Sequence, residues 1–375
     1  MSDVNPGNER LKRRYFHHMA EAKGLAEATI GHAARAVAAY ERYTNWKPFS
    51  NFTSKDAIAF KKSLLADGGK RSAELSSRAT IYTKLNHLMS FFKWLAEQPG
   101  LKTKVSLGDA DYFHLSRRDG RLAQERPDKP APTLEQIQTA IRHMPADTDV
   151  ELRDRAVMAF LILTGARVRA VTTFKLKHVL PNRLGVRQDA RDVATKGSKT
   201  FTTFFFPVGD DLRGNFLDYV EHLRVNLARG SDDPLFPSTR QDVAAGKNSF
   251  EIVGLANDHW STAEPVRSIC RRAFERAGIV YFSPHSFRRT LALLAEERCR
   301  TPAELKAWSQ NLGHDQLLTT LTSYGALPEA RQAELVAGLT GEATNTMIPN
   351  HLLEEIVEQV TNRVRESVPT GKENK

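Results

Sequence analysis

Cysteine is nearly absent from the chain: Cys270 and Cys299 are the only two in 375 residues. Two cysteines exclude a disulfide framework and leave a reducing compartment as the expectation. No apolar run approaches the roughly 18 residues that a membrane span needs, so no membrane partner is expected. The opening MSDVNPGNERLKRRYF lacks the apolar stretch of a secretory signal. Histidine and cysteine do not fall at metal-ligand spacing, no glycine-rich phosphate loop precedes a helix, and no segment repeats. Metalloenzymes, nucleotide-dependent enzymes and solenoids are therefore not expected, and no cofactor is called for.

Charge, by contrast, is plentiful and unevenly placed. The formal net charge is +10, and hydrophobic residues make up 41% of the chain, enough for more than one globular core. Residues 1–105 hold 18 Lys and Arg against 9 Asp and Glu, whereas residues 341–375 hold 4 against 6. The first third is thus the electropositive part. An acidic polymer, most simply nucleic acid, is its natural partner, although a basic, soluble surface alone would read the same way.

Helical signals dominate the pattern. Residues 8–44 read as a helix or helix pair. Residues 54–66, SKDAIAFKKSLLA, begin with Ser54 as an N-cap. After the Gly-broken DGGKRSAELS, the residues Ile81, Leu85, Leu88, Phe92 and Leu95 recur at steps of four and three, the stripe of an amphipathic helix. Phe91, Phe92 and Trp94 read as core rather than as platforms for base stacking. Residues 106–131, with SRRDGRLAQERPDKPAP, read as an interdomain linker. Thr133 and Gln136 then stand at capping-box spacing, and ELRDRAVMAFLILTG is an apolar helix ending at Gly165. Residues 185–208 switch to β-branched and aromatic residues around a Lys-Gly-Ser-Lys turn, which predicts a hairpin, part of a small sheet. Helices are expected again over 210–340, followed by a connector at 338–350. A last short helix carries Leu353, Ile356, Val360 and Val364 on one face. The fold class is mainly α with a small antiparallel β-sheet, α+β.

Four separated pieces carry the chemistry. LTGARVRAV puts Arg167 just after a helix end, and TKGSK puts Lys196 in the hairpin turn. SPHSFRRT places His285 and Arg288 three apart on one helix face. NLGHDQLLTTLTSYGAL holds His314 and, ten residues on, Tyr324. Each alone is ordinary, because surface Arg, turn Lys and His-x-x-Arg are common. In this order they resemble the active-site signature of the tyrosine recombinases, the phage integrase family. TGARVRAVTTFKLKHV is similar to the first box of that family, SPHSFRRTLALLAEE to the second, and LGH with TTLTSYG to the third. The likeness covers about residues 15–325. Two positions depart from the pattern: Ala170 stands where the family usually has an acid three residues after the first Arg, and His178 stands where it often has Asp.

The resemblance implies a helical, SAM-like core-binding domain over residues 1–105, the linker at 106–131 and a tyrosine-recombinase catalytic domain over 132–340. A C-terminal tail follows at 341–375, whose helix would dock on a neighbouring protomer. The two domains would clamp double-stranded DNA, with a homotetramer working on two duplexes and an accessory directionality factor as a further partner. The expected location is cytoplasmic, on the nucleoid. The bundle begins near residue 15, so no separate arm-site domain is expected before it.

The reaction this resemblance implies is transesterification of a DNA phosphodiester. Arg167 and Arg288 would hold the non-bridging oxygens with planar, charged donors. Lys196 would protonate the leaving 5′-oxygen. Tyr324 would store the phosphoryl group as a 3′-phosphotyrosine, His285 would accept its proton, and His314 would donate to the phosphate. The DNA-binding candidates are Lys70, Arg71, Arg78, Lys84 and Arg289. Arg289 reads equally as a contact to a neighbouring nucleotide or as a surface residue. The rival functions are a type IB topoisomerase, which shares this chemistry, a non-catalytic DNA-binding protein retaining the fold, and a general nucleic-acid-binding helical protein.

Overall fold

The computed structural model describes residues 4–67, 78–124, 130–195, 197–243 and 250–314. The chain divides into two compact units, Met1–Pro127 and Asp128–Lys375.

In the first unit α1 (Pro6–His17) opens with Pro6 at its first turn and Asn5 as cap, whose side chain accepts from the backbone N–H groups of Gly7 and Asn8. It runs on as a π turn, His18–Ala22, and Gly24 then breaks the path with φ +57°. The chain re-enters helix as α2 (Glu27–Tyr43), so residues 8–44 form a helix pair. Next come α3 (Ser54–Asp67) and α4 (Arg78–Ala96). The residue that caps α3 is Thr53 rather than Ser54. The Thr53 carbonyl accepts from Asp56 and Ala57, and Asp56 Oδ2 takes the Thr53 N–H at 2.9 Å. The α4 stripe is buried throughout, as its spacing requires. Its aromatics are core: Phe92 stacks on Phe52 at 3.8 Å between ring centroids and meets Tyr40 edge-on at 5.1 Å.

Most of the stretch read as a linker is built into this unit. Leu107–Phe113 forms a 3₁₀ helix, and α5 (Arg117–Gln124) follows. Ala110 and Phe113 lie in the core, with Phe113 stacked on Phe52 at 5.6 Å. The charged SRRDGR run hid this, because the anchoring comes from two residues just before it.

The second unit starts with α6 (Leu134–Arg142) under the Thr133–Gln136 capping box. In α7 (Asp149–Thr164), a second box of Thr148 and Glu151 sets the start, and nearly every residue from Arg153 onward is buried. Such a helix is the hub of the unit. A short α8 (Val168–Val171) leads to β1 (Val179–Leu180), β2 (Gly185–Gln188) and β3 (Phe201–Phe204), a three-stranded antiparallel sheet in the order β1-β2-β3. The β2–β3 register pairs Gly185 with Phe204 and Gln188 with Phe201. In the connection between these strands Gly197 and Ser198 are left-handed, with φ +71° and +51°. Beyond α9 (Asp210–Val225) helices dominate as expected but are interrupted: β4 (Pro237–Val243) and β5 (Phe250–His259) form a second antiparallel hairpin that the pattern did not show. Buried Arg153 anchors it, donating to the Pro237 carbonyl at 2.9 Å and to Thr239 Oγ1 at 3.0 Å, with its guanidinium 5.0 Å from the Trp260 ring. The chain then returns to helix in α10 (Glu264–Arg276), α11 (Pro284–Arg298) and α12 (Pro302–Asn311). Among the described residues no helix is long and apolar enough to cross a membrane, and no group of His, Cys, Asp and Glu is placed to hold a metal ion.

Candidate active site

The α11 helix owes its position to an apolar side, on which Phe287, Leu291 and Ala295 are fully buried. Thr290 Oγ1 also donates to the Pro132 carbonyl. That docking carries Arg288 inward, to 8% exposure, while His285, one turn earlier, stays exposed. Arg288 then joins two other parts of the chain. Its Nη1 donates to the Gly165 carbonyl at the end of α7. Its Nη2 donates to the Leu312 carbonyl at 2.8 Å and meets His314 Nε2 at 2.9 Å. A guanidinium has no acceptor, so the His314 Nε2 lone pair faces it, and the proton of a neutral ring sits on Nδ1.

Two glycines make this convergence sterically feasible. Gly165 caps α7 at φ +58°, and a Cβ there would lie 2.8 Å from Leu312 and 3.0 Å from Leu291. Gly313 has φ +69°, and its Cβ would lie 2.5 Å from the Phe201 ring at the start of β3. The glycines of the TGAR and LGH pieces are thus close-approach positions, where a side chain would push apart the elements that Arg288 joins.

Arg167 follows Gly165 by two residues and stands at the head of α8, half-buried. Burial, as the sole cause, pulls its pKa below the ordinary arginine value, and among the described residues no acid pairs with it. Ala170, at the position of the missing acid, is buried at 1% exposure, and its carbonyl accepts from the Thr173 N–H and hydroxyl, both at 3.0 Å. His178, the other departure, is buried at 3% exposure. Its Nδ1 accepts from the Lys175 N–H at 2.9 Å, and its Nε2 lies 3.4 Å from Asp192 Oδ2, a close contact rather than a hydrogen bond. Burial lowers the His178 pKa, and the nearby Asp192 works against that. Asp192 also takes Lys177 at 2.9 Å and Lys175 at 3.2 Å, two cations that hold its carboxyl well below the usual range. The Ala194 N–H donates to Thr173 Oγ1 at 2.9 Å, and Val193 is buried. Residues 192–194, just before Lys196, are therefore fastened to the segment that follows Arg167.

In the first unit, Lys84 lines a cleft of about 580 Å³ between α2 and α4, together with His32, Arg35, Arg42 and His87 and a floor of alanines. The His32 and His87 rings are parallel within 4°, with centroids 6.5 Å apart. Burial and then the neighbouring Arg42 lower the Lys84 pKa, and among the described residues no acidic side chain lines the cleft. Sequence reasoning found Lys84 but missed its companions. The readable signal was Arg35 and Arg42, two turns apart on one face of an alanine-rich helix. Arg78 lies at the exposed start of α4, 3.9 Å from Asp119, and Arg289 is half-buried on α11. Lys70, Arg71, Lys196, Tyr324 and the Leu353–Val364 segment lie outside the described residues.

No family model matches the chain. Among curated proteins it is similar to tyrosine recombinase XerC of Lactobacillus delbrueckii subsp. bulgaricus, 22% identical over 314 residues, which span 83% of this chain and 92% of that protein. XerC of Staphylococcus carnosus is 26% identical over 274 residues, 72% of this chain and 76% of its own. Among solved structures, a lambda integrase dimer bound to a COC′ core site aligns with a TM-score of 0.57 at 14% identity, covering 84% of this chain and 94% of that one. The Tn1549 transposon integrase in complex with transposon right end DNA aligns with a TM-score of 0.54 at 14% identity, covering 88% and 99%. At such identities the structural likeness speaks to architecture, and on that ground the chain has the α+β fold of the lambda-integrase-type tyrosine recombinases.

Proposed function

We propose that the chain is a site-specific tyrosine recombinase, which cuts and rejoins DNA strands through a 3′-phosphotyrosine link. The observation that carries this reading is Arg288, one buried guanidinium that binds the Gly165 carbonyl, the Leu312 carbonyl and His314 Nε2. Three of the four sequence pieces thereby meet at one cation. Arg167, half-buried and without an acid among the described residues, adds a charge that an incoming anion would neutralise.

In the proposed reaction Tyr324 Oη attacks the phosphorus, the bond from phosphorus to the 5′-oxygen breaks, and the freed oxygen takes a proton from Lys196. Arg167 and Arg288 stabilise the charge that builds on the non-bridging oxygens. With Nε2 turned to Arg288, His314 has Nδ1–H as its donor to the phosphate. His285, exposed on the same helix face as Arg288, accepts the tyrosine proton. The covalent link conserves the phosphodiester energy, so rejoining needs no external energy source. The XerC relatives are named tyrosine recombinases. A lambda integrase tetramer bound to a Holliday junction aligns with a TM-score of 0.54, over 84% of this chain. For this chain the corresponding proposal is a homotetramer exchanging strands between two duplexes.

A plasmid assay tests this function against the topoisomerase alternative. Supercoiled DNA carrying two copies of the chain's site yields recombinant circles, and DNA carrying none stays supercoiled. Relaxation of the site-free plasmid at the same rate would favour the topoisomerase.

The α2–α4 cleft is proposed as a contact to the DNA backbone. Among the described residues no acid pairs with its cations, and protein–DNA affinity comes largely from phosphate neutralisation. Arg42→Ala and Lys84→Ala are each expected to lower the slope of log affinity against log salt by about 1, and to weaken all sequences alike. An unchanged salt slope in the double variant would remove the cleft from the interface.

A further inference from the structure

Strand β3 is an edge of its sheet: in the order β1-β2-β3, no strand among the described residues pairs on its far side. Edge strands present unpaired N–H and C=O groups that something must cover. Here one side chain covers those of Phe204. Asn311, the last residue of α12, accepts from the Phe204 N–H through Oδ1 at 2.7 Å and donates through Nδ2 to the Phe204 carbonyl at 2.8 Å. Its amide thus stands in for a neighbouring peptide group. The Asn311 carbonyl also accepts from Thr203 Oγ1 at 3.1 Å, and that hydroxyl accepts from Gln188 Nε2 of β2 at 2.9 Å. Close by, the Phe201 ring packs directly on Gly313. The carbonyl next after Asn311, that of Leu312, is the one Arg288 holds, and His314 comes two residues later.

Resting on the recombinase reading above, we propose that Asn311 is a positioning residue for the general acid. It fixes β3 to the end of α12, and so sets where the β2–β3 connection, which carries Lys196, stands relative to Arg288 and His314. The other flank of that connection is already fastened through Asp192 and Ala194. Without the Asn311 side chain, this leg of the hairpin loses both bonds that fix Phe204, keeping only the Thr203 bond to the residue-311 carbonyl and the Phe201–Gly313 packing, while Arg288 keeps its own partners. The defect should fall on proton delivery and not on phosphate binding.

Nicked duplexes tiled across the DNA flanking the chain's own coding sequence supply the probe, each made with an oxygen and with a sulfur at the scissile 5′-bridging position. A thiol is far more acidic than an alcohol, so sulfur leaves as a thiolate without a proton donor. On the duplex that wild type captures, Asn311→Ala is expected to slow cleavage of the oxygen substrate by about 10²-fold, within the range of general-acid catalysis. It should slow the sulfur substrate less than about threefold, the pattern also expected of Lys196→Ala. Asn311→Asp keeps the acceptor and loses the donor, so it should fall between wild type and Asn311→Ala on the oxygen substrate. Equal slowing on both substrates, or none on either, overturns the positioning role. A wild-type protein that captures no duplex of either kind instead contradicts the recombinase reading itself.

Discussion

Arg288→Ala is expected to slow strand cleavage by about 10³-fold or more, the largest loss at any described residue. Removing one preorganised donor from a developing oxyanion typically costs about 10²–10³ in rate, and here the donor is also a buried charge. Its loss leaves the Gly165 and Leu312 carbonyls without their guanidinium donor, at about 1–3 kcal/mol each where no water replaces it. The melting temperature should therefore fall together with the rate. Arg288→Lys separates the two effects. It keeps the charge but not the planar fork, so it should recover part of the stability and little of the rate, because one ammonium cannot hold two carbonyls and a phosphate in fixed geometry. Single-turnover cleavage of a nicked duplex, read beside thermal unfolding, checks this. An alanine variant that cleaves within tenfold of wild type would show that Arg288 only braces the fold.

How much of this was legible beforehand depended on the kind of signal. The α4 stripe and the Thr133–Gln136 box follow local rules, periodicity and capping, and both stand in the structure. The β2–β3 hairpin was readable because aromatic and β-branched residues flank a Gly-Ser turn. The β4–β5 hairpin was missed because what holds it is not local: Arg153, far back in α7, binds Pro237 and Thr239. The N-cap at Thr53 was one residue off, because Asp56 reaches back to Thr53 and Ser54 offered an equally good cap type.

At the site, the resemblance of the sequence pieces to the recombinase boxes gathered Arg167, His285, Arg288 and His314 as candidates. It could not say that Arg288 would be the buried hub and His285 exposed, since both follow from how α11 docks. Nor could it foresee what surrounds the two departures from the family pattern. His178 packs beside Asp192, so the acid expected near that position comes from the β2–β3 connection instead. Asn311 had no signal at all, because an Asn at a helix end reads as a cap until β3 is seen lying against it.

Tyr324→Phe is expected to remove strand cleavage altogether while leaving DNA affinity within about twofold of wild type. The substitution deletes one oxygen, and that oxygen is the nucleophile; a phenol with an ordinary pKa near 10 has no counterpart in phenylalanine that could form a phosphoester. None of the proposed phosphate-binding cations changes. The measurement is a denaturing gel of wild type and Tyr324→Phe after incubation with nicked duplexes that trap the cleaved end. A slow-migrating protein–DNA band with wild type, absent with Tyr324→Phe, is the expected result, and digestion of that band should leave the DNA 3′ end on the peptide that contains Tyr324. A band of equal strength in both proteins, or DNA binding by wild type with no band on any duplex, would contradict the phosphotyrosine mechanism.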